Sequence, residues 1–207
     1  MVALAERTWS AGRIALTVAV VGAASLALGM VTFYAQGFLP DAFGSFANSA
    51  SGWTLLTALL VFASRARPKV AAVLGAVSFV LLVLGYSLAA SLNGLFYSPL
   101  LFGMIGVVVG PFVGVATAWL RRTGIRAALG TALLAGIFLG EAVYGLTVIA
   151  GTTRPEYWLA IGVVGLALLV GMLLRRLRGW LPITIAVAGA AAVALAFNLA
   201  YTALASL

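Results

Sequence analysis

The stretch GIFLGEAVYGL, residues 136–146, sets one carboxyl group, Glu141, in a run with no other charge between Ala127 and Ala150. Tyr144 follows three residues on, so in a helix the phenol shares the carboxyl's face and can donate to it. A second polar cluster lies in QGFLPDAFGSFANSASGW, residues 36–53, which carries Gln36, Asp41 and Asn48. With Asn93 these compose the candidate ligand-binding set: Glu141, Tyr144, Gln36, Asp41, Asn48 and Asn93. Tyr86 and Asn198 are further candidates for the same lining. Unaided, such groups bind: they can hold a cation, exchange a proton or hydrogen-bond a polar solute.

Other chemistry is narrowed by what the chain lacks. It has no Cys and no His, which excludes disulfides, Cys/His metal sites and Ser–His or Cys–His catalysis. Lys69 is the only lysine and Asp41 the only aspartate, so neither a retinal Schiff base within a helix nor an aspartyl dyad can form. No catalytic residue, metal ligand or cofactor is therefore expected. An enzyme working on a lipid at the outer leaflet would have only Asp41, Glu141 and Glu156 as acids or bases.

These groups must be positioned by membrane-spanning helices. Of the 207 residues, 64% are hydrophobic and only 8% charged, against about 25% charged in a soluble domain, and mean hydropathy is +1.20. A crossing takes roughly 20 apolar residues. Such runs predict a single all-α domain, 1–207, with seven transmembrane helices near 14–34, 43–64, 70–90, 99–120, 127–150, 158–174 and 182–201. Seven spans put eleven of the twelve basic residues on one side: Arg7, Arg13, Arg65, Arg67, Lys69, Arg121, Arg122, Arg126, Arg175, Arg176 and Arg178, with Arg154 opposite. The positive-inside rule then makes the N-terminus cytoplasmic and the C-terminus external, in a multi-pass protein of the cell membrane.

Small residues four apart mark helix seams, since close backbone approach replaces the hydrophobic drive that lipid cannot supply. They include Gly106, Gly110 and Gly114 on the fourth span, Gly136 and Gly140 on the fifth, and Ala186, Ala190 and Ala194 on the seventh. The stripe Gly106–Gly110–Gly114 is also a surface for a second copy or a membrane partner. Pro111 within it should kink the span or free a carbonyl. The second span is predicted to be interrupted or partly re-entrant, with Asp41 as N-cap of a first piece and a break at Ser49–Gly52, before Trp53. Broken backbone at membrane depth persists only beside protein or a wet cavity, and it is the best sequence pointer to a transporter site.

Three stretches resemble a bacterial integral membrane family catalogued as domain of unknown function 6518. QGFLPDAFGSFANSASGW is similar to its Gln-x-x-Leu-Pro … Leu-Ala-Asn-Ser … Trp pattern, GVVVGPFVGVATAWLRR to its Gly-Gly-Pro-x-x-Gly … Trp-Arg segment, and GIFLGEAVYGL to its Phe-Leu-x-Glu-Gly-x-Tyr segment. Phe46 stands where that pattern has leucine, Gly52 where it has proline and Ala142 where it has glycine. The likeness covers most of the first 150 residues; it implies a multi-span membrane protein and carries no activity with it. The expected function is a small permease or solute-binding protein whose polar cavity takes a small solute or cation. The competing expectation is a non-catalytic accessory or scaffold subunit. For the first, Glu141→Gln is expected to alter pH-dependent uptake with folded yield intact. No nucleotide motif or nucleic-acid partner is indicated.

Overall fold

The computed structural model describes residues 10–205, and Arg7 lies outside them. The described chain is all-helical: α1 (Ala11–Phe38), a 3-10 helix (Asp41–Asn48), α2 (Ala50–Ser64), α3 (Pro68–Leu92), α4 (Leu100–Trp119), α5 (Gly124–Thr147), α6 (Pro155–Arg175) and α7 (Trp180–Ala205). Six of these are long and apolar enough to cross a membrane, and the 3-10 helix and α2 form a pair, bent by 66°, that is long and apolar enough only when taken together. In hydrocarbon a helix satisfies its own backbone, which is why an almost uncharged sequence takes this form throughout. Prolines open α3 and α6, where a missing N–H costs nothing. Pro111 sits inside α4, which is a single helix from Leu100 to Trp119.

α5 is the central helix, packed on α7, α6 and α4, while α3 bridges α4 and α1. The glycine stripe of α4 is used within the chain: Gly110 lies against Gly75 and Ala76 of α3, Gly114 against Ala71, and Gly106 against Phe79. The surface offered above to a partner helix is therefore occupied by α3. The α5 stripe is filled likewise, Gly136 by Ala190 and Val193 and Gly140 by Ala194 and Phe197 of α7.

The break in the second span falls at Ser49, the first residue of the predicted Ser49–Gly52 interruption. Gly52 is a helical residue of α2, and its missing side chain lets the Phe46 carbonyl approach. Its role is space, not flexibility. Asp41 is the first residue of the 3-10 helix rather than its N-cap; Pro40 takes that position and no side chain caps the turn. Gln36 belongs to α1, which extends to Phe38.

Candidate functional site

Starting a helix within the protein leaves its first N–H groups without partners. In α2 each has one. Ser49, extended at φ −135°, ψ 152°, accepts from the Gly52 N–H through Oγ at 2.9 Å. The Trp53 N–H donates to the Ser49 carbonyl at 3.1 Å. The remaining two donors turn to α5: Ala50 N–H donates to Glu141 Oε1 at 2.9 Å and Ser51 N–H to Oε2 at 2.6 Å. Glu141 thus caps α2 across ninety residues of chain, one oxygen per N–H, where the positive end of the helix dipole meets it. It is only 3% exposed. With six residues of α5 beyond it, the cap lies about 9 Å short of that helix's end.

The same carboxylate lines a cavity of about 150 Å³. Asn48 and Ser49 border it from the break, Tyr144 from α5 and Tyr201 from α7; Trp53, Phe102 and Trp158 supply aromatic walls. Tyr144 and Tyr201 meet edge to face at 5.5 Å. Trp158 reaches the cavity because α5 has no side chain at Gly145, where its indole packs, and its Nε1 donates to Thr153 Oγ1 at 2.9 Å. Beside it Tyr157 hangs its hydroxyl 2.6 Å from Ser49 Oγ. Trp53, 1% exposed, has a buried Nε1 with no hydrogen-bond partner among the described residues. Its ring meets those of Phe79, Tyr86 and Phe102 edge to face. Tyr97, in the α3–α4 turn, stacks on Phe102; burial, and then Tyr86, push its phenol up to about 12, so it stays neutral.

Of the predicted site residues, Glu141, Tyr144 and Asn48 come together in this cavity, with Asn48 exposed at its edge. The other three are placed elsewhere. Gln36 accepts from the Tyr86 hydroxyl at 2.9 Å, tying α1 to α3. Asn93 donates to the Tyr34 hydroxyl at 3.1 Å and to the Ala89 carbonyl at 2.8 Å. Asp41 is exposed at the head of the 3-10 helix. Asn198 donates to the carbonyls of Gly140 and Ala194, joining α7 to α5. Sequence reasoning missed Ser49, Trp53, Trp158 and Tyr201 as cavity residues. Ser49 had a signal, a helix-capping residue directly before an apolar run. Among the described residues no group of three or more His, Cys, Asp or Glu could hold a metal.

Residues 9–206 match the profile of DUF6518, a family of unknown function, and the chain belongs to that family. The match takes in the last two spans, which the sequence motifs did not reach. No curated protein and no solved structure matches the chain significantly.

Proposed function

We propose that this family member is a small solute-binding membrane protein of the permease type, and that its cavity at the broken second span takes a compact organic cation. The observation that carries the reading is a buried carboxylate facing a pocket walled by aromatic rings. A ring face attracts a cation through its quadrupole, most strongly where water is excluded. A carboxyl group at the same wall can pair with the cation as a carboxylate and add to that attraction. Size narrows the class: the cavity is about 150 Å³, and a void of roughly that volume holds a benzene-sized guest. An ammonium of five to seven heavy atoms is of that order. The unpartnered Trp53 Nε1 favours a guest that also carries a hydrogen-bond acceptor.

With the arginine-rich end in the cytoplasm of a cell, the cavity lies toward the external side, where a permease would load. A scaffold role has less to draw on, because the small-residue stripes on α4 and α7 are consumed inside the chain. The test is calorimetric titration of the purified protein with tetramethylammonium, choline and choline's neutral isostere 3,3-dimethylbutan-1-ol, followed by uptake into proteoliposomes. The ammonium probes should bind and the alcohol should not. Tyr201→Leu should weaken ammonium binding about threefold to thirtyfold, and Tyr201→Phe, which keeps the ring, should not. Equal binding of the alcohol, or no loss in Tyr201→Leu, removes the cation from the proposal.

A further inference from the structure

At the opposite end of α2 the turns α2–α3 and α4–α5 enclose a cavity of about 270 Å³, lined by Arg65, Arg67, Arg121 and Arg122 with Ala66 and Ala118. Among the described residues, no acidic side chain lines it. Arg121 is held in place by groups that bring no negative charge. Its guanidinium donates to the Phe62 carbonyl and lies 4.0 Å over the Phe62 ring, and its own carbonyl accepts from Arg176 Nη1 at 3.0 Å. Partial burial first, and then the neighbouring Arg65, push this guanidinium below its ordinary value.

Phe62 also closes the end of an apolar groove. That groove, about 170 Å³, has Leu59 of α2 and Leu168 of α6 on its walls and Leu134 and Phe138 of α5 on its floor. It adjoins a second apolar cavity of about 280 Å³ through the shared residues Leu55 and Val164. Only apolar atoms line either one. The slot therefore runs along α2 away from the arginines, past Leu55, toward Leu39 and Tyr157.

We infer that this arginine cavity and the α2–α6 groove together form a binding site for one anionic phospholipid, with its phosphate among the guanidiniums and an acyl chain in the groove. Guanidinium forks match phosphate oxygens and pair with them bidentately. A basic pocket between spanning helices is where anionic headgroups are held. A free phosphate would use the arginines alone and leave the groove idle. A zwitterionic lipid would bring its own cation toward the four arginines. The site is separate from the Glu141 cavity and does not depend on how that cavity works.

Native mass spectrometry of the full-length protein, after exchange into a zwitterionic detergent, tests it with phosphatidylglycerol, phosphatidylcholine and inorganic phosphate as probes. Phosphatidylglycerol should be retained in preference to phosphatidylcholine. Arg65→Gln with Arg122→Gln, both at exposed side chains, should weaken it roughly thirtyfold, about fivefold per arginine. Arg175→Gln with Arg178→Gln removes the same charge elsewhere and should leave retention within about twofold. Leu59→Trp, at an exposed groove wall, should lower retention without touching a charge. Equal retention of the two lipids, equal losses in both arginine pairs, or retention of inorganic phosphate as strong as that of phosphatidylglycerol would each overturn the assignment.

Discussion

Replacing Glu141 by Gln keeps the shape and removes one acceptor. In the native site each carboxylate oxygen takes one N–H, from Ala50 and Ser51; an amide offers one oxygen and turns its NH2 toward the other donor. Bonds to a charged acceptor contribute about 1.5–3 kcal/mol and neutral ones about 0.5–1.5, while a buried donor left unpaired costs roughly 1–3. The change should therefore cost about 2–4 kcal/mol, a large part of a typical 5–15 kcal/mol stability. This reverses the sequence-based expectation that folded yield survives Glu141→Gln. Ala50→Pro isolates the cause. Ala50 is the first residue of α2 and follows an extended Ser49, so proline suits the backbone while deleting one of the two donors. A double-mutant cycle read by steric-trapping unfolding in bicelles should show the pair costing about 1–2 kcal/mol less than the sum of the singles. Additivity within about 0.5 kcal/mol would refute the claim that Glu141 acts through this helix terminus.

Two further outcomes test the packing and the aromatic wall. A Cβ at Gly75 would run into the Gly110 carbonyl, whereas one at Gly171 meets nothing within 4 Å; Gly75→Ala should cut monodisperse yield through overpacking of about 1–3 kcal/mol, and Gly171→Ala should not. Tyr97 ionises at about 12, above the ordinary value of 10.0, so its native state keeps the proton longer than the unfolded chain does. That contribution is complete below pH 10 and is lost as pH rises toward 12. Melting temperature should fall across that window more steeply in the native protein than in Tyr97→Phe. At neutral pH the variant should be no less stable, because the buried Tyr97 hydroxyl has no partner among the described residues.

Much of the architecture was legible in one dimension. Apolar runs of spanning length, separated by arginines, locate α1 and α3 to α7 within a few residues, because bilayer thickness and backbone self-satisfaction leave few alternatives. Glycines spaced by four named the seams but not their occupants; only packing shows Gly110 against α3 and Gly140 against α7. The second span was harder. Pro40, Ser49 and Gly52 all signal a break, and its place at Ser49 depends on where acceptors stand for the N–H groups of α2.

Glu141 shows the division most clearly. The sequence by itself determined that a carboxyl enclosed by some twenty uncharged residues must find a partner, since burying it alone is too costly. Tertiary structure decided that the partner is a helix terminus about ninety residues away, and that Trp53, Trp158 and Tyr201 gather around it. The reason is physical: the donors are backbone N–H groups, which every residue but proline carries, so their meeting with Glu141 leaves no mark in the letters of Ala50 and Ser51.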